Sequence, residues 1–94
     1  MLLLCGGCGG TTIDTGSYDR KCTQDTDCTP VFQGDTCAAC LCPNAAVRQS
    51  AATRYQQDLA AMRSKCGPLP AIACGPCSEN LGLCLTGSCT LRAL

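Results

Sequence analysis

The sequence predicts a small disulfide-rich α+β fold, with one amphipathic helix at about residues 50–65 packed on a few short strands and a hairpin. Three observations lead there. Twelve of the 94 residues are cysteine, a density at which a short chain reads as a disulfide scaffold. Large apolar side chains are scarce: Trp is absent and the only aromatics are Tyr18, Phe32 and Tyr55. A core that thin, in a domain this small, needs covalent or metallic reinforcement. Finally, a single stretch carries a helical period, while the segments around it are short and punctuated by Gly and Pro.

The helix rests on Ala51, Tyr55, Leu59, Met62 and Cys66, which recur at offsets of four, four, three and four and so share one face. Arg54, Gln57, Asp58 and Arg63 fall on the wet side. Ser50 is the expected N-cap, with Asn44 after Pro43 as an alternative, earlier start. Gly67-Pro68 ends the helix. Because Cys66 lies on the apolar face, a bridge from the helix end to a non-helical segment is expected.

Strands are expected on either side. Cys22 to Cys28, CTQDTDC, is a polar turn in which Asp25 and Asp27 bond nearby backbone amides. Thr29 to Gln33 is a short strand, edge-like because of Pro30. Gly34-Asp35 is a turn. Cys37 to Cys42, CAACLC, reads as a second short strand with Cys40 and Cys42 on one face. Pro68 to Leu83 reads as irregular. Cys84 to Leu91 reads as a hairpin turning at Thr86-Gly87-Ser88. The Gly- and Thr-rich run before Cys22 has no period and reads as a flexible tether.

Composition excludes several roles. Seven basic and seven acidic residues give no net charge, and no basic run exists, so nucleic acid is not an expected partner. The longest aliphatic run, Leu2-Leu3-Leu4, is far short of a membrane span. There is no His, and Glu79 is the sole glutamate; no acid–base pair stands out among the carboxylates. An enzyme is therefore not expected, and no cofactor is.

The first ten residues, MLLLCGGCGG, resemble the end of a bacterial lipoprotein signal peptide, in which an apolar run leads to small residues and a lipidated Cys. Gly6 and Gly7 precede Cys8, while bulky Leu4 precedes Cys5, so the resemblance implies lipidation at Cys8. Parity agrees. Loss of Cys5 and lipidation of Cys8 leave Cys22, Cys28, Cys37, Cys40, Cys42, Cys66, Cys74, Cys77, Cys84 and Cys89, an even set that closes completely into disulfides. Three regions follow: a signal remnant with the lipidation site at 1–8, a tether at 9–21, and a disulfide-rich domain at 22–94. The pairing itself is open, since ten half-cystines allow roughly 945 connectivities.

Three local motifs suggest other chemistries. Cys74-Gly75-Pro76-Cys77 matches the four residues of a thioredoxin-type site. That family needs the first Cys at a helix N-terminus after a buried strand, with Trp before the motif, Lys after it and a later cis-proline. Here Ala73 precedes, Ser78 follows and no proline comes after Pro76, so two structural half-cystines with different distant partners are expected. Cys37, Cys40, Cys42, Cys74 and Cys77 offer a thiolate set for zinc or Cu(I). CTQDTDC resembles a stretch of the whey-acidic four-disulfide inhibitor family, which implies a presented loop residue; Leu69 and Arg20 are two such loop positions among others. Asp25 and Asp27 fall short of a calcium loop.

From Cys22 onward the chain resembles the cysteine-rich domain of small bacterial lipoproteins. The resemblance rests on the Asp-x-Asp-Cys opening, Cys-x-x-Cys-x-Cys before a helix, a Cys at its end and a terminal Cys-x-x-Gly-x-Cys. It implies an exported monomer, lipid-anchored in the cell envelope or secreted, with a structural or binding role toward a protein or envelope ligand. The alternatives are a thiolate metal-binding protein and, after it, a protease inhibitor.

Overall fold

The computed structural model describes residues 10–69 and 73–94. Its strands pair as three antiparallel two-stranded ladders. Strand β1 (Thr12–Ile13) pairs with β3 (Gly34–Asp35), β2 (Cys28–Val31) with β4 (Ala45–Arg48), and β5 (Asn80–Leu85) with β6 (Ser88–Ala93). One helix, α1, spans Ala52–Arg63 between β4 and β5. The small disulfide-rich α+β class is as expected.

The β2–β4 ladder is the middle layer. Thr29 pairs with Val47 and Val31 with Ala45, while Cys28 pairs with Arg48 and Pro30 with Ala46. Strand alternation therefore sends Val31 and Val47 to one face and Cys28 and Ala46 to the other. On the first face Val31 and Val47 join Ile13, Tyr18 and Tyr55, with Leu59 and Met62 of α1 packed against them. On the second, Cys28 and Ala46 join Cys22, Cys84 and Cys89. The interior is thus aliphatic and aromatic under the helix but largely sulfur under the β5–β6 hairpin.

The helix buries the face its period implies. Tyr55 is 1 % exposed, and Ala51, Leu59 and Met62 are partly buried beside it. Its N-terminus differs from expectation. A 3-10 turn at Gln49–Ala51 leads straight out of β4, the N–H of Ala52 bonds the Gln49 carbonyl, and no side chain caps the helix. Backbone 3-10 bonding satisfies an orphan N–H there, so Ser50 is not needed as a cap. The C-terminus tightens in the same way, through Lys65 N–H to Met62 O and Cys66 N–H to Arg63 O. Gly67, at φ 71°, then turns the chain left-handed and ends the helix as expected.

Four local expectations are corrected. The expected tether at 9–21 is, from residue 12 on, part of the fold: β1 pairs with β3, and Ile13 and Tyr18 are buried. Burial of two large apolar groups, with Thr15 O–H and N–H on the Gln33 side-chain oxygen, outweighs the freedom of a Gly-rich run. CAACLC is a turn and an irregular run, not a strand; the Asp35 carboxylate accepts from Cys37 N–H and turns the chain. The partner of β2 is instead Ala45–Arg48, where Val47 is fully buried. Gly34-Asp35 pairs as β3, and Asn80–Leu83, read as irregular, belong to β5.

The hairpin turns at Thr86-Gly87, both at positive φ (52° and 78°), the type I′ geometry that suits strand twist. Its close seat on β2 is set by Gly82: a Cβ there would meet the Cys28 carbonyl oxygen at 2.9 Å.

Candidate functional site

All ten cysteines among the described residues are bridged: Cys22–Cys84, Cys28–Cys89, Cys37–Cys66, Cys40–Cys74 and Cys42–Cys77. These are the ten expected as half-cystines. Every bridge joins one of the first five in sequence to one of the last five. They fall into two groups. The first two pin the hairpin to the polar turn and β2. The other three lace residues 37–42 to the chain that follows α1, in sequence order, rung after rung. Cys66 meets Cys37 in the turn after β3, the expected tie between helix end and non-helical segment. Cys8, the expected lipidation site, lies outside the described residues.

The two groups differ in access. Cys22, Cys28 and Cys89 are buried, and Cys89 has no exposed surface. Cys40, Cys42, Cys74 and Cys77 are all exposed. The bridges of the first group also touch: sulfurs of Cys22, Cys28 and Cys89 all lie within 4.8 Å of one another. This convergence, and not the alternative thiolate set of Cys37, Cys40, Cys42, Cys74 and Cys77, is where the described residues gather sulfur most tightly. Each of these sulfurs already has its covalent partner, and a metal ligand must be a thiolate; the bridged protein offers none at either place.

Cys74-Gly75-Pro76-Cys77 lies in a segment, Ala73 to Glu79, without regular structure. Its cysteines bond Cys40 and Cys42, not each other. The helix N-terminus that would acidify a thioredoxin-type Cys is absent from this segment.

The acidic turn is built inward. One Asp27 oxygen accepts from the N–H groups of Thr23 (2.8 Å) and Gln24 (3.2 Å) and from the Thr23 hydroxyl (3.0 Å), and these bonds hold its carboxyl below the usual range. Asp25 accepts from Cys84 N–H at 2.8 Å, which ties the turn to the hairpin. Asp35 serves Thr11 and Cys37. The carboxylates a calcium ion would need are engaged in building turns. The inhibitor candidates are likewise held: Arg20 donates to the Cys89 carbonyl at 2.9 Å, and Leu69 is half-buried.

Two clefts flank the sulfur-filled layer. One, about 380 Å³, is polar and includes Asp14, Arg20, Gln33, Asn44 and Thr90 in its walls. Gln33 and Asn44 stiffen it through paired bonds of 2.7 and 2.9 Å. The other, about 340 Å³, is more apolar and runs along β5 by Asp25, Pro30, Leu81 and Leu83. Leu81 and Leu85 stand about half exposed on the outward face of β5. Sequence reading missed the polar cleft because it placed residues 9–21 outside the fold. The available signal was Ile13-x-Thr15, alternate buried positions of a chain that otherwise looks unstructured.

Comparison with family models, curated proteins and solved structures returned no match. The structure by itself defines a class: a small cysteine-rich domain whose disulfides suit an oxidising, extracellular or envelope environment. It is compatible with a structural or binding module. No helix among the described residues is long and apolar enough to cross a membrane.

Proposed function

We propose that the chain is an exported, non-enzymatic module, held at the cell envelope by a lipid on Cys8, that displays a rigid surface for a structural or binding role toward a protein or envelope ligand. The observation that carries the reading is the complete pairing of all ten described cysteines, since thiols at this density stay reduced in a cytosol and oxidise outside it. Support for the anchor comes from the sequence, where Gly6-Gly7-Cys8 follows an apolar run. The polar cleft beside β4 and β6 and the apolar cleft beside β2 and β5 supply surface of both characters on one small frame.

Intact mass of protein recovered from the cell envelope tests both halves. With alkylating agent and no reductant, no label is expected on the ten bridged cysteines; lipid mass is expected on Cys8, and Cys8→Ser moves the protein to the soluble fraction. Label on those cysteines in native material sinks the export reading, and a Cys8→Ser protein that stays with the membrane sinks the anchor. Zinc or Cu(I) binding is the second reading, open only to a reduced form of the protein, in which the convergent Cys22, Cys28 and Cys89 would be thiolates. It requires stoichiometric metal in protein isolated with its thiols reduced.

A further inference from the structure

We propose that the Cys40–Cys74 and Cys42–Cys77 bridges form a thiol–disulfide exchange site that an external thiol converts to a single Cys74–Cys77 bridge. The inference goes beyond the display role and does not depend on the lipid. Three features carry it. All four cysteines are exposed, and attack by a thiolate needs access to a sulfur. Residues 40–44 and 73–79 are outside regular structure, and segments of that kind open locally at lower cost than packed strands or helices. The two bridges join the same two segments, and on one side their half-cystines have the Cys-x-x-Cys spacing that dithiol–disulfide couples use. On the other side only Leu41 separates them, a tighter ring to close.

The chemistry balances with a small thiol as reductant. Its thiolate attacks Cys40 Sγ, forming a mixed disulfide; the Cys40–Cys74 bond breaks and its electron pair leaves on Cys74 as thiolate. Cys74 then attacks Cys77 Sγ, forming Cys74–Cys77 and expelling Cys42 as thiolate. A second thiol attacks the mixed disulfide, releasing Cys40 and the oxidised reagent. Two external thiols are oxidised to one disulfide. Two protein disulfides become one, with Cys40 and Cys42 left as thiols. The residues around Cys74 and Cys77 are thereby unlaced from residues 40–42, while the buried pair under the hairpin stays shut.

Brief treatment of the full chain with dithiothreitol or reduced glutathione, acid quench, labelling with a maleimide and peptide mapping reads this directly. The expected first product carries label on Cys40 and Cys42 and an unlabelled, linked Cys74–Cys77, formed about tenfold or more faster than any label on Cys28 or Cys89. First label on Cys40 together with Cys74 shows simple reduction without rearrangement and overturns the proposal; so does first label on the hairpin bridges. The double variant Cys42→Ser/Cys77→Ser keeps Cys40–Cys74 and is expected to label at Cys40 and Cys74. Label elsewhere in that variant overturns the assignment of the exposed bridges as the place of attack, and the wild-type map decides the matter if the variant does not fold.

Discussion

The Tyr55 hydroxyl closes two backbone groups at once. It donates to the Phe32 carbonyl at 2.6 Å and accepts from the Phe32 N–H at 3.0 Å, so the helix holds the end of β2 through a single atom. Tyr55→Phe is expected to cost about 1–3 kcal/mol, because it leaves half-buried backbone groups of Phe32 unpaired; urea unfolding measures it. Tyr18 works across the same core, its ring edge-on to Tyr55 and its hydroxyl donating to Asp58 at 2.5 Å. Burial, then the bond to Asp58, push its phenol from 10.0 up to about 12. A raised folded value means that this stabilisation is complete below pH 10.0 and is lost as pH rises toward 12. Tyr18→Phe is expected to abolish that alkaline step, read as the phenolate absorbance titration beside the thermal midpoint. Residue roles were legible where the partner is local: the bonds of Asp27 to Thr23 and Gln24 were visible in the spacing, whereas Asp25, read as serving nearby amides, accepts from Cys84 N–H instead. They were not where the partner is distant. Asp58 and Arg63 read as wet helix positions, yet Asp58 receives Tyr18 and Arg63 donates to the Thr36 carbonyl at 2.8 Å.

Among elements, the hairpin depends most narrowly on one residue. Gly82 lets β5 approach β2 so closely that an added methyl group would collide with the Cys28 backbone. Backbone gives way less readily than a flexible side chain, so Gly82→Ala is expected to destabilise by about 1–3 kcal/mol, read as a lowered thermal midpoint. Gly87→Ala should cost less space and more backbone strain: an added methyl group would meet nothing within 4 Å, but the φ there is 78°. Helix and hairpin were legible because each announces itself locally, through a four-residue period and a Thr-Gly turn. The β2–β4 ladder was legible only in half. Thr29 to Gln33 has strand composition, whereas Ala45-Ala46-Val47 follows Pro43-Asn44 and precedes a helix, so its small residues read equally as a helical extension. Only the pairing across the sheet decides it.

At the scale of the molecule, sulfur replaces hydrocarbon on one face of the central ladder. Removing the Cys28–Cys89 bridge as a Cys28→Ala/Cys89→Ala double variant is expected to cost about 2–5 kcal/mol, and more than loss of the exposed Cys42–Cys77 pair, because Cys28 and Cys89 also fill the interior. Chemical unfolding of the two double variants side by side checks the order. That cysteines dominate the frame was plain from composition. Their connectivity was not, because pairing depends on which segments the fold brings together.

Since each cross-link spans the stretch from Pro43 to Lys65, a protease that cuts once inside it, after Arg48 or Arg54 for instance, separates no part of the chain. The nicked protein gains one water in mass and remains a single covalent particle until a reductant parts its halves. An exposed helix is a vulnerable place in a peptidase-rich medium; here it is enclosed by a lattice that tolerates the cut.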